Sequence, residues 1–207
     1  MYAIRQTACT RRHHEQERRS VAAGRLPQPA GEIGDVMGPP ILYIFSGLPG
    51  SGKTTLSQLL AKHVGAAYVR IDTIEQALRD LCSVHVQGEG YRLAYRVAAD
   101  ILNTGVGVVA DSCNSIELTR REWEQVALAA GARYVNIEVI CSNTTAHRQR
   151  VETRVSTVPG LKLPTWSEVR HREYHDWTVE RLVIDTADRP VADCIKELLS
   201  KLSGEPA

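Results

Sequence analysis

The segment 47–54 has residue types and spacing that suit the binding of a phosphate chain. It reads Gly-Leu-Pro-Gly-Ser-Gly-Lys-Thr and fits the pattern G-x-x-x-x-G-K-[ST]. Glycines let successive backbone N–H groups converge on one anion, the lysine brings a cation to the β- and γ-phosphates, and the threonine hydroxyl can bind Mg²⁺. The segment therefore predicts a nucleoside triphosphate site. Its residues are Gly47, Leu48, Pro49, Gly50, Ser51, Gly52, Lys53, Thr54 and Thr55.

The sequence around this loop places it between a strand and a helix. The apolar run 41–46 predicts a strand that is buried on both faces. After the loop, Leu56, Leu59 and Leu60 share one face of a helix predicted over 54–63. The start of a helix carries the positive end of its dipole, so this arrangement adds to the attraction that the loop exerts on phosphate.

Asp72 is a candidate general base. It directly follows a strand predicted over 66–71. Phosphoryl transfer needs a carboxylate that orients the attacking hydroxyl and accepts its proton, and we expect Asp72 to do this. The alternative role is that of N-cap for a helix predicted over 73–82, and one carboxylate can serve both purposes.

Asp111 is a candidate Mg²⁺ residue. It ends the apolar strand predicted over 106–111, and we expect it to direct Mg²⁺ together with Thr54, either by direct contact or through water. Ser112 and Asn114 follow in a loop that we expect to face the acceptor. The alternative is a solvated aspartate in a turn.

Two arginines suggest a lid. Arg150 and Arg154 are four residues apart on a predicted helix, and a loop that contains Pro159, Gly160 and Pro164 follows. Guanidinium groups beside such a loop suit a lid that clamps the transferred phosphoryl group. The alternative is surface charge paired with nearby glutamates.

Arg120 and Arg121 are a weaker pair of candidates. They lie near the start of a helix predicted over 117–130. They could reach an acceptor, and a position on a solvated helix face is the alternative. The sequence does not separate these two readings.

Strands and helices alternate from residue 41 to residue 202. The predicted strands are 41–46, 66–71, 106–111, 134–140 and 181–185. Helical crossovers join parallel strands and put helices on both faces, so we expect a three-layer α/β fold with a five-stranded parallel sheet. Ligands bind at the carboxyl edge of such a sheet, where Asp72 and Asp111 would meet the phosphate loop. The alternation of Asn136 and Glu138 predicts outward side chains and a fourth strand near an edge.

Composition divides the chain of 207 residues into two parts. Residues 1–38 contain six arginines and no apolar periodicity, so we expect a disordered extension or a misassigned start, with Met37 as the true first residue. Residues 39–203 form the predicted catalytic domain, with the lid at about 148–170.

Charge and cysteine content restrict the partners and the compartment. A net charge of +1 disfavours nucleic acid and anionic membranes as partners, and no apolar stretch is long enough to span a bilayer. The five cysteines lack C-x-x-C spacing, as expected of reduced thiols in the cytoplasm. We expect a small-molecule acceptor as the partner, and a monomer or homodimer.

From about Ile41 to Leu202, the chain resembles the small P-loop kinases. That group includes zeta-toxin-like, chloramphenicol-phosphotransferase-like, gluconate-kinase-like and polynucleotide-5′-kinase enzymes. The segment 147–166 also resembles a bacterial branch labelled as AAA-family or predicted kinases. The resemblance rests on the loop 47–54, Asp72, Asp111 with Asn114, and Arg150-x-x-x-Arg154. It implies a P-loop NTPase fold with ATP and Mg²⁺ as cofactors, Asp72 as the base, and Arg150 and Arg154 as lid arginines.

The leading functional hypothesis is an ATP-dependent phosphotransferase that acts on an alcohol. The alternatives are a nucleoside, nucleotide or polynucleotide 5′ kinase and, outside the enzymes, an ATP-binding regulatory switch. Polynucleotide-type members carry an arginine three residues after the acid, where this chain has Glu75. That difference favours a neutral or cationic acceptor.

Overall fold

The computed structural model describes residues 38–204, so the predictions made for residues 1–37 lie outside the described part. One five-stranded sheet runs through it in the order β2-β3-β1-β4-β5, and every paired neighbour is parallel. The strands are β1 (Ile41–Ser46), β2 (Ala67–Arg70), β3 (Val108–Asp111), β4 (Arg133–Ile140) and β5 (Leu182–Asp185). The predicted α/β fold with a five-stranded parallel sheet is confirmed.

Helices connect the strands and cover both faces of the sheet. They are α1 (Lys53–Val64), α2 (Ile71–Cys82), α3 (Glu89–Asn103), α4 (Glu117–Ala129), α5 (Thr144–Thr153), α6 (Trp166–Arg170) and α7 (Val191–Ser203). Helix α6 is short and ends at Arg170. Backbone carbonyls of the following segment instead accept hydrogen bonds from the buried Arg120.

Alternation along β1 builds the two halves of the core. Leu42 and Ile44 pack on one side of the sheet with residues of α3 and α4, including Trp123. Tyr43 and Phe45 pack on the other side with residues of α1 and α7. A fully buried side chain of this size contributes about 1.5–3 kcal/mol. The central strand is therefore apolar on both faces and holds the loop that follows it in place.

β4 lies near an edge of the sheet as predicted, one strand in from it, but the predicted outward direction of its polar side chains is wrong. β4 lies between β1 and β5, and Asn136 and Glu138 are 4% and 6% exposed. Asn136 Nδ2 donates to Glu124 Oε1 at 2.7 Å, while Glu138 accepts from Tyr174 Oη at 2.8 Å and Arg181 Nε at 2.6 Å. The alternating polar residues of β4 are therefore buried and bonded to polar partners on other elements. The sequence of one strand cannot reveal such partners.

The strand order places the functional loops on one edge of the sheet. β3 and β4 lie on opposite sides of β1, so the order reverses at the strand that leads into the phosphate loop. Such a switch point opens a crevice at the carboxyl ends of the strands. Within residues 38–204, no helix is both long and apolar enough to cross a membrane.

Candidate active site

Glycine is required where the phosphate loop passes over the sheet. Gly47 has φ +142°, and a Cβ built there would lie 2.2 Å from the carbonyl oxygen of Val139 in β4. Gly50 has φ +85°, and a Cβ there would meet Val151 of α5 at 2.6 Å. The loop is thus packed between β4 and α5, and a side chain at either glycine would clash.

Lys53 is a buried cation in the first turn of α1. It is 7% exposed, and its ammonium has no hydrogen bond or ion pair within the described residues. Burial alone lowers the pKa of Lys53, but electrostatic interactions with Cys113, Asp111 and Asp72 outweigh it and raise the pKa above its ordinary value. The side chain therefore remains charged and available to an anion.

Two adjoining cavities meet at Lys53. One, of about 420 Å³, contains Asp72 and is called the Asp72 cavity; the other, of about 240 Å³, contains Arg150 and is called the Arg150 cavity. Residues that line both cavities are Lys53, Thr54, Arg70, Arg154 and Leu163. A larger groove of about 1090 Å³ beside α7 contains none of the predicted site residues.

Asp111 has one oxygen bound and one free. The carboxylate is 2% exposed, and its Oδ2 accepts a hydrogen bond from Tyr68 Oη at 2.6 Å. Burial and the charge of Asp111 raise the pKa of Tyr68, so the phenol remains a donor. Oδ1 of Asp111 is buried and has no partner within the described residues. A hard carboxylate oxygen with an open coordination position suits a Mg²⁺ ligand, and Thr54, the other predicted ligand, lines both cavities.

Asp72 is accessible and does not cap α2. The helix begins at Ile71, so Asp72 is its second residue and Arg70 occupies the N-cap position. The N-cap alternative is therefore wrong. The Asp72 side chain is 42% exposed, lines the Asp72 cavity, and lies 3.6 Å from the Arg70 guanidinium. This position leaves its carboxylate open to a hydroxyl group in the cavity.

The two predicted lid arginines have different surroundings. Arg154 follows the last residue of α5 and lines both cavities, and its Nε is buried without a partner within residues 38–204. Burial lowers the pKa of Arg154, an effect that electrostatic interactions with Cys113 and Asp72 oppose. Arg154 is therefore placed to meet a phosphoryl group beside Lys53.

Arg150 instead supports the phosphate loop from the side. Its guanidinium donates to both Oγ1 and the carbonyl oxygen of Thr186, at 2.8 Å each. Thr186 Oγ1 in turn donates to the carbonyl oxygen of Ser51 at 2.7 Å. The structure therefore does not bring Arg150 into the Asp72 cavity, although it lines the neighbouring one.

Sequence reasoning missed Arg70 as a site residue. Its Nε lies 3.9 Å from Asp111 Oδ2, and it also pairs with Asp72 and donates to Thr157 Oγ1 at 2.8 Å. One guanidinium thus connects both predicted carboxylates with the loop after α5. The sequence feature that could have identified Arg70 was its position at the carboxyl end of β2, directly before α2.

Both readings of Arg120 are wrong, because this side chain is buried. Only 2% of Arg120 is exposed, and its guanidinium lies 4.0 Å from the centre of the Trp177 ring. It donates to the carbonyl oxygens of Asn114, Ser115, His175 and Asp176. Arg121 is solvated and pairs with Glu117. Arg120 therefore holds the loop after β3 against the segment after α6.

Comparison with known proteins agrees with this fold. A P-loop NTPase fold carries the site, and the chain belongs to the AAA_33 family of AAA domains, whose model matches residues 42–170. No curated protein sequence matches the chain. The predicted resemblance to small P-loop kinases is confirmed at the level of family and fold.

Solved structures with the same fold cover most of the chain. The gluconokinase of Sinorhizobium meliloti is 15% identical, with a TM-score of 0.59 over 80% of this chain and 93% of its own. The APS kinase CysC of Mycobacterium tuberculosis, in complex with AMPPNP and APS, is 17% identical, with a TM-score of 0.58 over 79% and 98%. Kti12 of Chaetomium thermophilum, in complex with ADP-AlF3, is 21% identical, with a TM-score of 0.60 over 80% and 99%.

Proposed function

We propose that this protein is an ATP-dependent kinase that transfers the γ-phosphate to a hydroxyl group of a small molecule. The observation that carries the proposal is the meeting of the two cavities at Lys53, Thr54 and Arg154, with Asp72 in only one of them. Two substrates that exchange a phosphoryl group need adjoining sites with cations where they meet and a proton acceptor on one side.

The proposal gives each side chain a role. The acceptor hydroxyl loses its proton to Asp72 as its oxygen attacks the γ-phosphorus, and the bond from phosphorus to the ADP oxygen breaks. Lys53 and Arg154 neutralise the charge on the transferred group. Thr54 and Asp111 would hold Mg²⁺, which when bound supplies further positive charge at the phosphates.

Arg150 and Arg70 act as positioning residues in this scheme. Arg150 fixes the phosphate loop through Thr186, and Arg70 holds Asp72 beside Asp111. The similarity to solved kinases of small substrates supports the same reading of the fold. We further propose that the protein acts in the cytoplasm, as a monomer or homodimer.

The experiment is a screen of small alcohols with γ-labelled ATP for labelled products. ADP release is then measured with each alcohol that gave a labelled product. A kinase gives acceptor-stimulated ADP release and a labelled product. An ATP-binding switch instead hydrolyses ATP slowly at a rate that no alcohol changes. The second result, across a broad set of metabolites and with confirmed ATP binding, would refute the proposed function.

A further inference from the structure

We propose that the Asp72 cavity accepts an alcohol that carries its own anionic group, such as a phosphate, sulfate or carboxylate. The inference rests on the proposed function, because it takes this cavity as the acceptor site. It departs from the neutral or cationic acceptor that Glu75 favoured in the sequence. The observation behind it is the balance of charges around the cavity.

Cations outnumber carboxylates in the lining of the Asp72 cavity. The cationic side chains are Lys53, Arg70, Arg79, Arg154, Lys162 and Arg172. The carboxylates are Asp72 and Glu75. The cavity therefore has a strong excess of positive charge, and low-dielectric walls strengthen the attraction of such a cleft for anions.

Two of the cations are already neutralised inside the protein. Arg70 lies 3.6 Å from Asp72, and Arg79 Nη2 lies 3.1 Å from Glu75 Oε2. Glu75 therefore has its own cationic partner and leaves no unpaired negative charge for a cationic acceptor. This pairing, which spans one turn of α2, removes the basis of the expectation drawn from Glu75.

The remaining four cations divide into two pairs by position. Lys53 and Arg154 line both cavities, where the transferred phosphoryl group would lie. Lys162 and Arg172 line only the Asp72 cavity, and neither side chain has a hydrogen bond or ion pair within the described residues. The ATP phosphates account for the first pair and leave the second pair without an anion.

Glu168 lies outside the cavity lining, and one of its carboxylate oxygens is already bonded within α6. Glu168 caps α6, since its Oε2 accepts from the backbone N–H of Thr165 at 2.7 Å and from the Thr165 hydroxyl at 2.8 Å. Those bonds lower the pKa of Glu168 first, and the charges of Lys162 and Arg172 lower it further. Lys162 and Arg172 both line the Asp72 cavity, so an anion bound there would be attracted by both charges.

The test is calorimetric titration of inorganic sulfate into protein that is saturated with Mg²⁺ and AMPPNP, at constant ionic strength. The nucleotide occupies the phosphate loop, so sulfate reports the acceptor side. We expect one sulfate per chain, with binding roughly tenfold weaker or more in Lys162→Ala/Arg172→Ala, because charge-assisted hydrogen bonds are lost. Lys62→Ala/Arg96→Ala removes the same charges from exposed positions outside the cavity and should leave sulfate binding unchanged.

Failure of the inference and failure of the proposed function are distinguishable. Absence of sulfate binding, or equal binding in the Lys162→Ala/Arg172→Ala variant, overturns the inference. Efficient phosphorylation of a neutral alcohol, at the same rate in this variant as in the wild type, also overturns the inference. In that case the kinase assignment stands. The proposed function is tested separately by AMPPNP binding before sulfate is added and by phosphoryl transfer in the acceptor screen.

Discussion

Replacement of Asp72 by Asn separates a kinase from a protein that only binds nucleotide. The change keeps the shape of the side chain and removes its capacity to accept a proton. Asp72 is 42% exposed and lies 3.6 Å from Arg70, so the lost ion pair contributes about 0–1 kcal/mol to stability. Its place in the first turn of α2 contributes about 0.3–1 kcal/mol through the helix dipole. We therefore expect a small change in melting temperature.

The expected loss of activity is much larger than the loss of stability. A positioned general base accelerates proton transfer by about 10²–10⁴-fold, which corresponds to about 2.7–5.4 kcal/mol of activation free energy. Initial rates of ADP release with the acceptor found in the screen measure this loss. Equilibrium titration with ATP should give near wild-type affinity, because Asp72 lies outside the Arg150 cavity.

Asp193→Asn is the matched control. Asp193 is also an exposed acid in the first turn of a helix, and it lies outside the Asp72 cavity. The control should show a similar small stability change and an unchanged rate. An unchanged phosphotransfer rate in Asp72→Asn would refute the assignment of the base and direct attention to Asp111.

Three further predictions concern the phosphate loop, pH dependence and the extension. Lys53→Ala should abolish ATP turnover, because the charge that stabilises the transferred phosphoryl group is lost. The circular dichroism spectrum should stay intact, because the ammonium has no protein partner in the described part of the chain. Normal turnover would contradict the site. Burial opposes ionisation of Asp185, but hydrogen bonds from Ser142 and Ala187 lower its pKa overall. The ionised carboxylate therefore stabilises the fold at pH values above its ordinary pKa, and this stabilisation is lost as the pH falls through the lowered pKa. Asp185→Asn keeps the acceptor oxygen and should be about 1 kcal/mol less stable at pH 7 with a flatter pH profile in urea unfolding; an unaltered profile would rule out this contribution. A protein that begins at Met37 should match the full chain in melting temperature and ATP affinity, and a clear loss of either would show that the preceding residues contribute.

Local patterns were sufficient to predict most of the elements and the phosphate loop. The run 41–46 is apolar on both faces because both sides of β1 are covered, and the loop after it needs glycine where Gly47 passes Val139. These are properties of consecutive residues, so they are visible in the sequence. The positions of Asp72 and Asp111 on one edge followed from the parallel crossovers.

Contacts between distant segments decided the chemistry of the polar side chains. Arg120 is buried because the segment after α6 supplies carbonyl oxygens that lie more than fifty residues away in sequence. Arg150 lies in the last turn of α5 and Arg154 directly follows that helix, yet Thr186 after β5 engages Arg150, while Arg154 lines the Asp72 cavity. The sequence by itself determined which side chains can bind phosphate or accept a proton. Tertiary packing decided whether Arg120, Arg150 and Arg154 are paired, because the partners of Arg120 and Arg150 come largely from other elements of the fold and none of them reaches Arg154 Nε.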